Sequence, residues 1–219
     1  MLPFMQENVD EVSLPKRKRG RPAKSVDERN ESARRMELVC VAAKQFRQRG
    51  FHGTSTRDIA AAAGIQAGSL FYFFESKEAM LHAVMRDGMA QAALAQAAAL
   101  EALGSRASGV KRLEALIRNH LQIMVGPESD FIPVMLYEWR LLSQEQRLDV
   151  AEQKDAYEAQ WMPVLQALYR TGKLKARPEI ARLLIFGALN WTAQWYSDSG
   201  SLSLDELTDQ SLALFIGER

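Results

Sequence analysis

From about Glu31 to the end of the chain the apolar residues recur every three or four positions, and no segment shows the strict alternation of a half-buried strand. The expected fold class is therefore all-α. Met36, Val39, Cys40, Ala43 and Phe46 form one apolar stripe in a helix expected over Glu31 to Arg49, with Cys40 buried on it and Gly50 ending it before Phe51 packs at the turn. A second helix starts at Ser55, where the hydroxyl can accept the Asp58 N–H and the Asp58 carboxylate can reach back, and runs to Gly64. Ile65 is expected to pack inward, and Gln66 to Phe74 forms a third helix with Leu70, Phe71 and Phe74 at helical spacing. From a Ser76 cap the pattern continues to about Leu103, a length of roughly 40 Å. Further helices are expected over 110–125, 129–143, 145–172, 178–197 and 203–216, separated by Gly126-Pro127, Thr171-Gly172 and Ser197 to Gly200. Pro133 suits the first turn of its helix, whereas Pro163 inside Asp155 to Arg170 predicts a kink.

Composition narrows the class. With 219 residues, 47% hydrophobic, the chain can bury a core larger than one small domain needs. A single cysteine excludes an intrachain disulfide framework and agrees with a reducing compartment. No stretch is apolar and long enough for a signal peptide or a membrane span, so the expected location is the cytoplasm. The net charge of +1 hides an asymmetry: residues 1–79 carry 14 Lys/Arg against 10 Asp/Glu, and residues 80–219 carry 14 against 17. A basic front suits an approach to phosphate. The cations concentrate in Lys16 to Lys24, where Arg19-Gly20-Arg21-Pro22 resembles the core of an AT-hook. In that motif glycine permits close approach to a narrow A·T-rich minor groove, and Arg19 and Arg21 would respond to its negative potential. Three units are expected: an arm over 1–28, a small helical domain over 29–76, and a larger helical domain over 77–219.

Two short helices around Gly64, with small Ala60 and apolar Leu70 at their contact, outline a helix-turn-helix. Such triples also arise in ordinary Ala-rich hairpins, and the longer run FHGTSTRDIAAAAGIQAGSLFYFFESKEAML carries more. Asp58-Ile59-Ala60, Ala63-Gly64-Ile65, Gly68-Ser69-Leu70, Phe74 and Ser76-Lys77-Glu78, preceded by Phe46 and Gly50-Phe51, resemble the DNA-binding domain of the TetR (tetracycline repressor) family over about 29–85. Three positions depart from its commonest pattern: Gln66 replaces a capping Ser, Ala67 a Lys and Phe71 a Tyr that often touches phosphate. Base contacts are assigned to Gln66, Ala67 and Ser69, since an amide can bond adenine and a methyl can meet thymine. Ser55, Thr56, Arg57, Tyr72 and Lys77 are the phosphate candidates.

In the larger domain, Phe131, Met135, Trp139, Tyr157, Trp161, Met162, Phe186, Asn190 and Trp191 are candidates to line an apolar pocket with a few polar groups. The same stripes would serve equally as plain core. Arg118, His120 and Arg140 would meet an anionic ligand, or else sit in salt bridges and solvent. The resemblance implies that the last two helices, through Leu183, Leu184, Gly187, Trp191, Leu207, Leu212 and Phe215, pack against a second subunit as a four-helix bundle, giving a homodimer on a palindromic operator. Asn190-Trp191 with Trp195-Tyr196 resembles a C-terminal signature of members that sense acyl-CoA or related intermediates. The expected function is a repressor released from double-stranded DNA by a small hydrophobic or acyl-CoA-type effector, without cofactor or metal. The alternative is a DNA-bound structural or recruiting factor without an inducer. An enzyme fits poorly, because His52, His82 and His120 are scattered and no nucleophile motif or phosphate loop accompanies them.

Overall fold

Helix α1 (Val26–Arg49) carries two stripes at once, and its inner one sets the first domain. Leu38, Val39, Ala42, Ala43 and Phe46 are buried, and they meet Phe51, Ile59 of α2 (Thr56–Ala62), Leu70 of α3 (Ala67–Phe73) and Phe74. The structure, a computed structural model, describes residues 26–126, 130–197 and 199–217, so the arm with Arg19 and Arg21 lies outside the described residues. Cys40 is exposed, contrary to expectation: the buried pairs 38/39 and 42/43 place position 40 about 100° round the helix from its expected face. α1 also begins earlier than Glu31.

The Ser55 capping box is present with both of its bonds. Between α2 and α3, Gly64 adopts φ +64° and the Ile65 N–H bonds Ala60 O, closing the first helix with a residue that alone takes this conformation without a Cβ penalty. Phe71 is exposed, because the short α3 buries only Leu70.

Helix α4 (Lys77–Ala102) starts at the Ser76 cap and runs from the first domain into the second. The remaining helices are α5 (Gly109–Val125), α6 (Phe131–Glu138) with a 3₁₀ turn at Trp139–Leu141, α7 (Gln144–Ala159), α8 (Met162–Arg170), α9 (Pro178–Trp195) and α10 (Leu204–Ile216), with no strand among the described residues. The expected helix over 145–172 is thus two helices. Pro163 stands in the first turn of α8, where its missing N–H is no loss, so it opens a helix and kinks none. α5 is the axis of this domain: Leu113, Leu116, Ile117, His120, Leu121 and Met124 are buried as it packs against α4, α8, α9 and α10.

Candidate nucleic-acid interface and effector pocket

The surface of α3 opposite Leu70 faces outward. Gln66, Gly68, Ser69, Phe71 and Tyr72 are exposed, with Tyr72 at 74%, and Ala67 is half-buried. Gln66 occupies the N-cap position yet makes no side-chain cap bond, so its amide is available to a base edge. Ser55 and Arg57 are exposed at the α2 start and Thr56 is half-buried. Two phosphate candidates are differently placed from expectation. The Lys77 ammonium donates to Phe51 O and Thr54 O, both at 2.9 Å, and lies 4.1 Å from the Phe51 ring centroid, so it ties α4 to the turn after α1. Tyr72 stands beside the Glu31 carboxylate of α1, which holds the phenol above its ordinary pKa.

Three contacts connect α1 and its turn to the second domain. Arg35 bonds Asp87 of α4 at 2.5 Å, and Asp87, buried, also receives Arg86. Arg47 pairs with Asp130 at 3.0 Å, and the Phe51 N–H donates to Glu138 Oε1 at 2.9 Å, so both ends of α6 hold the first domain. Beside Asp87, a Cβ on Gly88 would come within 2.4 Å of the Phe131 ring; glycine is what lets α6 lie against α4. Sequence reasoning missed Asp87 and Glu138. The signal for Asp87 was a lone carboxylate between buried Val84, Met85 and Met89.

The same two helices wall a cavity of about 40 Å³. Met89 and Ala92 of α4, Ile132 and Met135 of α6, Phe186 and Asn190 of α9, and Tyr157 of α7 line it, so four of the expected pocket residues converge. Phe131 instead packs on Gly88, Trp139 lies half-buried outside the lining, and Trp161 is fully buried behind it, its indole N–H donating to Gln96 Oε1 at 2.7 Å. His120 stands between Tyr157 and Asn190, 3.0 Å from each, with Phe186 and Trp161 edge-on to its ring. Desolvation pushes its pKa down to about 4, against a hydrogen bond to Asn190 that raises it, so the imidazole is neutral at pH 7. Burial raises the Tyr157 phenol. His120 therefore offers no charge to an anion, and Arg118 is paired with Asp205. Among the described residues no group of three His, Cys, Asp or Glu is arranged to hold a metal ion.

Along α9 the residues Ile180, Leu183, Leu184, Gly187, Trp191 and Trp195 are exposed on one face, with Leu184 at 64% and Trp191 at 66%, and Leu214 of α10 stands out beside them. Trp191, a candidate for both the pocket and the subunit interface, belongs to this face. A Cβ on Gly187 would meet nothing within 4 Å, so no packing inside the chain requires glycine there. Leu207 and Leu212, expected at a subunit interface, are buried inside the chain because that face of α10 packs on α5, and Phe215 is half-buried.

Residues 38–84 match bacterial regulatory proteins of the tetR family, and residues 106–217 match the tetracyclin repressor-like C-terminal domain. The chain belongs to the tetR family. Residues 16–28 also match the AT hook motif. Among curated proteins of this family, the HTH-type transcriptional repressor KstR2 of Rhodococcus jostii is 31% identical over 89% of this chain and 95% of its own length. The solved structure of the superantigen PfiT is 36% identical with a TM-score of 0.73, covering 85% of this chain and 98% of that one. AibR, solved in complex with isovaleryl coenzyme A and operator DNA, shares the fold at 24% identity and a TM-score of 0.73, covering 84% of this chain and 98% of its own. In tetR-family terms, α2 and α3 are the helix-turn-helix of a DNA-binding transcriptional regulator, and α4 to α10 form its C-terminal helical domain. No helix among the described residues is long and apolar enough to cross a membrane.

Proposed function

We propose that this chain is a homodimeric repressor that holds a palindromic operator through α3 and releases it when an acyl-CoA-type effector enters the second domain. The observation that carries this is a shared wall. The helices that line the cavity, α4 and α6, are also those that grip α1 through Asp87, Asp130 and Glu138. A drug-sized ligand needs roughly 300 Å³ or more, against about 40 Å³ here. Such a ligand fills this cavity once α4 and α6 have separated, and that movement carries α1 and α3 with it. Binding the expanded form better is what couples effector to DNA; a hundredfold loss of DNA affinity corresponds to about 2.7 kcal/mol of coupling.

The exposed face of α9 with Leu214 supports a second copy as partner, which sets the distance between two α3 tips and hence the half-site spacing. The name of KstR2 supports repression, and AibR, solved with isovaleryl coenzyme A, supports an acyl-CoA as the effector class. The arm over 1–28 is assigned to the minor groove, supported by its AT-hook match. Such a protein works by binding rather than catalysis, in the cytoplasm, where chromosomal DNA and CoA thioesters meet.

The test is fluorescence anisotropy of the full chain on duplexes selected from random sequence, followed by titration with CoA thioesters of increasing acyl size. Selective enrichment of a palindrome and its release by one size class is the expected result. Enrichment without release by any thioester would overturn effector control and favour the recruiting factor, a reading for which so small a cavity speaks. Failure to retain any duplex at low salt would overturn both.

A further inference from the structure

The groups around His120 form a directed relay. Asn190 presents Oδ1 to His120 Nε2, so that nitrogen carries the ring proton, Nδ1 is the acceptor, and the Tyr157 hydroxyl donates to it. This direction consumes both ring nitrogens, the Tyr157 proton and the Asn190 carbonyl. What remains at the cavity end is the Asn190 Nδ2 amide, which bonds no other described residue. At the other end Asn119 turns its amide toward the Tyr157 hydroxyl, and its Nδ2 is buried without a partner in hydrogen-bonding geometry. The cavity end of the relay therefore offers an N–H group, while at the far end the Asn119 amide faces the lone pairs of the Tyr157 hydroxyl.

Lys154 and Glu158 both line the cavity, and their charges are paired with each other. The ring at its centre is buried and neutral. Lys154 lines the cavity, but it is paired with Asp155 at 3.1 Å and with Glu158 at 2.9 Å, and Arg182 is also spent on Glu158. A carboxylate arriving here would lose its hydration with no free cation to replace it, whereas a ketone or thioester oxygen needs only one donor.

We propose that the floor of this cavity is a recognition site for a neutral hydrogen-bond acceptor, a ketone or thioester carbonyl, taken by Asn190 Nδ2 and oriented by the His120–Tyr157 relay. The site rests on the effector reading above and adds its chemistry: the apolar body of the ligand lies against Met89, Ile132 and Met135, and its carbonyl points to α9. Asn190 is the specificity-determining residue, and His120 and Tyr157 are positioning residues.

The test uses the full chain and three probes of equal length, methyl nonyl ketone, undecane and undecanoate, with binding read by quenching of tryptophan fluorescence. The ketone is expected to bind about tenfold tighter than either of the others. Asn190→Asp keeps an acceptor for His120 Nε2 and removes the free N–H, so the ketone preference should fall to within about twofold of undecane. Asn190→Leu should lose the preference equally, and it serves if the aspartate variant melts early by circular dichroism. Equal binding of ketone and undecane by the unmodified chain, tightest binding of undecanoate, or an unchanged preference in both variants would overturn the proposal. Selected operator duplex is titrated on the same samples. A chain that binds and releases DNA but ignores the carbonyl overturns this site alone, and one that discriminates the ketone but never responds on DNA overturns the effector reading alone.

Discussion

At the α3 tip, Gln66, Ser69 and Tyr72 stand in solvent over a small core that buries only Leu70 of their own helix; in the second domain, His120, Tyr157 and Gln96 are sunk among aromatic rings with their polar atoms paired. The residue types are similar, amide, hydroxyl and aromatic, and their roles are opposite. A polar side chain left in water costs folding nothing and keeps its bonds for a partner, so the tip is tuned for affinity at little expense to stability. A polar side chain taken out of water must be paired inside, and the pairing then holds the structure together and dictates what a ligand is offered.

Substitutions that unfold one region and merely weaken the other test this contrast most strongly. Trp161→Ala removes a fully buried indole and orphans Gln96 Oε1, and it should cost about 3–5 kcal/mol in urea denaturation. A loss below about 1 kcal/mol would mean the cluster is not a true core.

Acid sharpens the contrast next. The folded His120 pKa is about 4, below its ordinary 6.5, so between those values the unfolded chain binds more protons and stability falls as pH falls. The loss begins near pH 6.5, is complete near pH 4, and amounts to roughly 3 kcal/mol from this one group. His120→Gln should flatten that part of the stability profile relative to the unmodified chain. Parallel profiles would show that the ring is not desolvated.

Smaller effects belong to the tip. Gln66→Ala should weaken binding to a selected operator by about 1–2 kcal/mol while leaving the denaturation midpoint within about 0.5 kcal/mol. Equal damage to folding would dissolve the distinction between the two regions. Ser55→Ala should lower stability by about 1 kcal/mol through loss of the α2 cap. The Asp58 carboxyl, held below its usual pKa by the Ser55 hydroxyl and N–H, adds its share only above the ordinary carboxylate pKa and loses it as pH falls through the depressed value. Melting curves of the variant in acid should therefore converge on those of the unmodified chain.

The first domain was largely legible because its signals are local. Ser55 and Asp58 stand three apart, Gly64 sits at the helix end, and the TetR-like run spans only about thirty residues, so caps, turn and outward α3 surface followed from the chain. Cys40 went astray because a stripe drawn from apolar residues alone does not say which edge of it meets a neighbour. In the second domain the helices were foreseen, but Trp191 was a candidate for both pocket and interface and Leu207 for the interface: both lie on amphipathic helices, and only the rotation of α9 and α10 against α5 put one outside and the other inside.

The amino-acid sequence by itself determined what depends on neighbours three to five residues apart: helical periodicity, the Ser55 and Ser76 caps, the Gly64 turn and the basic front of the chain. The tertiary structure alone decided which distant groups share one small volume: Arg35 with Asp87, Glu138 with the Phe51 N–H, and His120 with Tyr157 and Asn190. Hydrogen bonds act over about 3 Å, whereas a helix stripe leaves its rotation against the next helix free by many degrees. Those pairings come into being only once the whole core has locked every helix at one angle.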